Sequence, residues 1–103
     1  MKLAVPAVLA LWMVLAAQAA LAEECDKLVA ARLNGEAQEE LQRLDVSPNV
    51  TETDQGHIEE LKQRFQAASD LHTAALDRHN DEDLKTACDA YRSIYDEAKA
   101  IAE

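Results

Sequence analysis

Two cysteines, three histidines and one tyrosine pair are the residues of this chain whose types suggest chemistry. Cys25 and Cys88 stand 63 positions apart, far from the Cys-x-x-Cys spacing of a redox pair. A structural disulfide is the use that fits them. His57, His72 and His79 are spaced by fifteen and then seven residues. An i, i+4 pair can chelate a metal on one helix, whereas His72 and His79 would stand about 10 Å apart along a helix axis. The sequence therefore predicts boundary histidines on the apolar side of a helix, with His72 and His79 as candidate pH sensors. Tyr91 and Tyr95 lie one helical turn apart beside Arg92: exposed, they are a candidate anchor for a partner protein, and buried, they are the large residues of a core otherwise built from alanine and leucine. Asp81-Glu82-Asp83 lacks the alternating acids, mid-loop glycine and closing glutamate of a calcium loop.

Other chemistries find no support in the pattern. A helical haem protein using Met and His would need a methionine, and Met1 and Met13, the two methionines present, both fall in the N-terminal segment discussed below. There is no nucleophile with a base and an orienting group, no phosphate loop and no pair of catalytic carboxylates. The expectation is a protein that is not an enzyme and takes no cofactor or metal.

Three amphipathic helices must position these residues. The first, about 24–44, sets Cys25, Leu28, Val29, Leu33, Ala37, Leu41 and Leu44 at three- and four-residue steps. Asn34-Gly35 interrupts it at a cost of about 1 kcal/mol, but the apolar register runs through. Asp45 to Gly56 has the Ser, Pro, Asn, Thr and Asp content of a loop. The second helix, about 53–78, carries Ile58, Leu61, Phe65, Ala68, His72 and Ala75 on one stripe, with Thr53 or Thr51 as its cap. Asn80 caps the third, about 81–102, whose first-turn acids suit the helix dipole. Its stripe is Leu84, Ala87, Tyr91, Ile94, Ala98 and Ile101.

Helices with one apolar stripe each must pack together, so the fold class is all-α, an up-down-up three-helix bundle. In that topology the first and third helices start at the same end. Cys25, in the first turn of one, then meets Cys88, two turns into the other. Such a bridge closes a loop of about 64 residues and stabilises by at most about 4 kcal/mol.

The N-terminus states the compartment. Lys2, an apolar run from Leu3 to Leu15 and Ala20-Leu21-Ala22 have the layout of a secretory leader, residues 1–22, cleaved before Glu23. An uncleaved membrane anchor is the competing reading. Pro6, Gln18 and the absence of a following Lys/Arg cluster count against it. Glu23-Glu24 occupy the places where a lipoprotein leader needs small residues, which argues against acylation of Cys25. Asn49-Val50-Thr51 is a glycosylation sequon that has meaning only in a eukaryotic secretory pathway. The alanine-rich leader favours a bacterial periplasm, where thiols become disulfides.

Of 103 residues, 81 remain after the leader, which is one domain, 23–103, with a small core. The leader removes one of 10 basic residues and none of the 20 acidic ones, leaving a net charge of −11. Such a chain repels nucleic acid and anionic lipid and attracts a basic protein. In scale and design the chain resembles small exported helical proteins of bacteria, among them acid-stress chaperones with one disulfide and periplasmic immunity proteins. It bears no diagnostic motif of either, so the resemblance implies an architecture and no particular activity. The leading functional expectation is a non-enzymatic interaction module that binds or inhibits a basic partner. An acid- or stress-responsive chaperone is the alternative, and metal-cation buffering through carboxylates the weaker one.

Overall fold

A computed structural model describes residues 24–103, so the leader and the cleavage position before Glu23 lie outside the described residues. Three helices, α1 (Lys27–Leu44), α2 (Gln55–Arg78) and α3 (Asp81–Ala102), pack together, with a 3-10 turn at Glu52–Asp54 leading into α2. None of the described helices is long and apolar enough to cross a membrane.

Local chemistry sets each boundary. Helix α1 begins at Lys27 and not near residue 24, because the Asp26 carboxylate accepts from Val29 N–H at 2.8 Å and so takes the N-cap. Cys25 consequently sits just ahead of the helix. Gly35 is accommodated inside α1, which runs on without a break. Before α2, the Asp54 carboxylate accepts from the Thr51 backbone N–H at 3.0 Å, and the chain tightens through the 3-10 turn. Asn80 caps α3 by accepting from Asp83 N–H at 3.1 Å. Asn49 donates from its side chain to the Ala102 carbonyl at 2.9 Å, so the α1–α2 loop closes the C-terminal end of α3.

The end of α2 corrects one expectation. His79 does not lie on the apolar side of the helix; it is exposed and adopts the left-handed conformation, φ 53°, ψ 42°. Asn80 N–H bonds to Ala75 O at 2.9 Å and His79 N–H to Leu76 O at 3.4 Å, the two closing bonds of a helix stop that favours glycine at this position. His79→Gly is therefore expected to raise stability by about 0.5–1 kcal/mol, offset in part by the freedom glycine gains when unfolded. A rise of a few degrees in the thermal midpoint checks it, and a fall would show that the histidine side chain holds the turn.

Helix α3 is the centre of the fold. Both α1 and α2 pack along it and touch each other far less. The disulfide joins the start of α1 to α3, and Asn49 joins the end of α1 to the end of α3, so these two helices run the same way. Arg64 and His57, early in α2, reach Glu97 near the end of α3, so α2 runs opposite. The main core holds Leu41, Leu44, Ile58, Leu61, Tyr91 and Ile94, with alanines at 37, 68, 87 and 98. A second cluster of Ala30, Ala75, Leu84 and Cys88 surrounds the disulfide. Small residues on the contact faces let the helices approach closely, and Tyr91, Leu61, Ile94 and Cys88 are the largest of the fully buried side chains.

Candidate functional site

The sequence offers Tyr91, with Tyr95 and Arg92, either as a core residue or as a partner anchor, and the structure places Tyr91 in the core. Its side chain is fully buried, so it has no area to present to a partner. The reason is its position: it continues the Leu84, Ala87, Ile94 and Ala98 stripe, and α3 has helices on two sides. Its ring lies 5.7 Å from Phe65 and, edge-on, 5.7 Å from His72. The hydroxyl is satisfied within the fold. Asn34 Nδ2 on α1 donates to it at 3.0 Å, and His72 Nδ1 on α2 stands 3.0 Å from it. One polar side chain from each helix therefore meets at the middle of the core.

In the sequence Asn34 reads as part of a helix interruption. A signal for it was present: it lies four residues after Ala30 and three before Ala37, both fully buried, so it occupies the inward stripe. A polar residue in that register needs a partner, and Tyr91 supplies it.

Tyr95 and Arg92 do reach the surface, half-buried, on the α1–α3 side. With Leu33, Glu36 and Asp96 they line a shallow groove of about 230 Å³. Lys99 Nζ lies 5.8 Å from the Tyr95 ring centre, and Arg92 Nη1 pairs with Asp89 at 3.3 Å. The groove thus mixes an aromatic face with both signs of charge, a composition suited to protein contact.

A larger groove of about 760 Å³ lies at the disulfide end. Ala75, Leu76, Leu84 and Cys25 give it an apolar lining, and Glu24, Asp26 and Asp81 oppose Lys27 and Lys85 along its rim. His79 borders this groove, whereas His72 faces Tyr91 in the core, so the two candidate pH sensors have different surroundings. The Cys25–Cys88 bond forms here, with Cα atoms 6.2 Å apart and the Cys88 side chain fully buried.

His57, the remaining histidine, is also exposed and not core-facing. It joins a latch between α2 and α3 centred on Glu97. One Glu97 oxygen accepts from Arg64 Nη2 at 2.7 Å and from Ser93 Oγ at 3.0 Å, and the other stands 3.1 Å from His57 Nε2. Arg64 above all, then His57 and Ser93, hold the Glu97 carboxyl well below its usual 4.5, at about 2. The same bond raises the Arg64 guanidinium further. Sequence offered no route to this cluster, because Arg64 and Glu97 are 33 residues apart and meet only through packing.

A depressed carboxyl stabilises the folded state above its unfolded pKa. Glu97 should therefore contribute fully above about pH 4.5 and lose that contribution as pH falls towards about 2. Its side chain is 35% exposed, so solvent screening keeps the net effect near 1 kcal/mol. Glu97→Gln is expected to lower stability at pH 7 by about that amount and to flatten the loss between pH 4.5 and 2. Chemical denaturation across that range measures both, and parallel wild-type and variant curves would remove the latch from the account.

Among the described residues no group of three or more His, Cys, Asp or Glu side chains gathers to hold a metal ion. Comparison with known protein families, with curated proteins and with solved structures gives no match to this chain.

Proposed function

We propose that this chain is a small exported interaction module that binds, and in its sharpest form inhibits, a basic partner protein, without catalysing a reaction of its own. The observation that carries this reading is how the charges are used. Arg32, Arg43, Lys62, Arg64 and Arg92 each pair with a carboxylate of the same chain. Glu52 and Glu59 at the loop end, and Asp77 and Glu82 at the disulfide end, are exposed and form no ion pair among the described residues. Five of the nine cations beyond residue 22 are thus neutralised internally, and the surplus of acid faces solvent. Such a surface steers a cationic protein towards it and repels nucleic acid and anionic membrane.

Export completes the reading. A leader over residues 1–22, a mature start at Glu23 and a periplasmic or secreted location agree with a disulfide between the two cysteines. N-terminal sequencing of protein from the periplasm is expected to begin at Glu23.

The binding test is affinity capture from periplasmic extract with wild type and two charge-reversal variants, Glu52→Lys/Glu59→Lys and Asp77→Lys. Expected is a basic partner held at low salt, released as salt rises, and weakened by one of the variants. Equal retention at about 1 M salt, where charges are screened beyond about 3 Å, sinks electrostatic docking. The alternative, an acid-responsive chaperone, draws on the Glu97 latch, which stays ionised to about 2 and so releases only in strong acid. Protection of an aggregating client at pH 2–3, but not at pH 7, would favour it.

A further inference from the structure

We infer that Asn34, Tyr91 and His72 form a proton-coupled relay, in which protonating His72 on α2 reverses both hydrogen bonds and turns the Asn34 amide on α1. The inference rests on counting protons at one buried oxygen. The Tyr91 hydroxyl owns a single proton and, among the described residues, has two partners: Asn34 Nδ2 at 3.0 Å and His72 Nδ1 at 3.0 Å. The amide nitrogen can only donate, so the hydroxyl oxygen accepts there. The hydroxyl proton is left to point at His72, whose Nδ1 must accept it. With the amide nitrogen on this side, the neutral His72 ring carries its proton at Nε2.

Adding a proton from water to Nδ1 makes that nitrogen a donor. The Tyr91 oxygen then accepts from His72, and its own proton must turn towards Asn34. Two donors would face each other there unless the amide rotates by half a turn and presents Oδ1. The rotated amide gives the hydroxyl proton its acceptor again. The Tyr91 hydroxyl therefore has a partner on both sides in either arrangement, and a second proton on the His72 ring, at Nδ1, excludes the first. A buried hydroxyl left without an acceptor is costly enough to drive the amide round.

The surroundings leave this selection to the relay. From α3 the titratable group facing the ring is the Tyr91 phenol, and from α1 the facing polar group is the uncharged Asn34. One turn away, the inward positions are Ala30 and Ala37 on α1, Ala68 and Ala75 on α2, and Ala87 and Ile94 on α3. Nearby charges are engaged elsewhere: Asp70 is exposed and accepts from Gln66, Arg32 pairs with Glu36, and Arg92 pairs with Asp89. Each helix supplies one member, so the relay carries a change at α2 across α3 to α1.

Nitrogen NMR of the labelled, oxidised protein tests this directly. In wild type at alkaline pH, His72 is expected to be protonated at Nε2 with Nδ1 as acceptor. On acidification the Asn34 side-chain amide signals should shift together with the His72 ring. In Tyr91→Phe the ring should still respond to pH while the Asn34 amide no longer follows it. Asn34→Asp supplies a fixed acceptor and should place a proton on Nδ1 at a pH where wild type has none. A wild-type His72 protonated at Nδ1 in alkali would overturn the proposal. So would an Asn34 amide that follows the ring equally well in Tyr91→Phe. The wild-type result stands even where a variant fails to fold.

Discussion

Replacing Cys25 or Cys88 with serine should lower the thermal midpoint by about 10–15 °C. The bond closes a loop of about 64 residues, for which lost chain entropy gives at most about 4 kcal/mol, and half of that is a conservative expectation. In a domain of this size each kcal/mol shifts the midpoint by about 4–8 °C. The position of the bond makes the loss local as well as global. Cys88 is fully buried among Ala30, Ala75 and Leu84, and Cys25 lies ahead of the Asp26 cap. Without the bond, the first turn of α1 is held to α3 chiefly by the packing of Val29 and Ala30, and it should fray first. Helical content at low temperature should be nearly unchanged, because the main core around Leu61, Tyr91 and Ile94 is intact. Intact-mass analysis with and without reductant, followed by thermal melts of oxidised and reduced protein, measures the effect. Two freely alkylated thiols in unreduced periplasmic material would overturn it.

Tyr91 should be the most sensitive single position. Tyr91→Ala removes the largest fully buried side chain, an excision that costs about 3–5 kcal/mol in well-packed cores. It also strands Asn34 and His72, both of which bond to the lost hydroxyl. Small domains have total stabilities near the lower end of about 5–15 kcal/mol, so the alanine variant should be largely unfolded at room temperature, disulfide or no disulfide. Tyr91→Phe separates the two contributions. It keeps the ring contacts with Phe65 and should cost about 1–3 kcal/mol, the penalty for polar groups left without partners. Adding Asn34→Leu to Tyr91→Phe should cost less than the sum of the two single changes, since the pair removes both ends of one bond. Strict additivity in denaturant titrations would show that the bond contributes nothing.

Much of the architecture is legible in the amino-acid sequence. Periodicity alone placed three helices, because an apolar stripe every three or four residues can be buried only in helical form. The Asn80 cap and the acids behind it announced the start of α3, since side-chain capping is local and survives in sequence. The Cys25–Cys88 pairing followed from having two cysteines and a topology that puts both at one end.

What only the tertiary structure decided has a common physical cause: it depends on which residues of different helices face each other. Sequence could offer Tyr91 either as core or as anchor, and the central place of α3 decided for the core. Asn34 looked like a flaw in α1 until a hydroxyl 57 residues away gave it a partner. His57 and His79 read as apolar-side residues, yet one reaches across to Glu97 and the other leaves the helix in a left-handed turn. A helix stripe is a one-dimensional property that the chain writes for itself. The relay through Tyr91 and the latch on Glu97 are pairings across helices, set by packing angles that no single segment encodes.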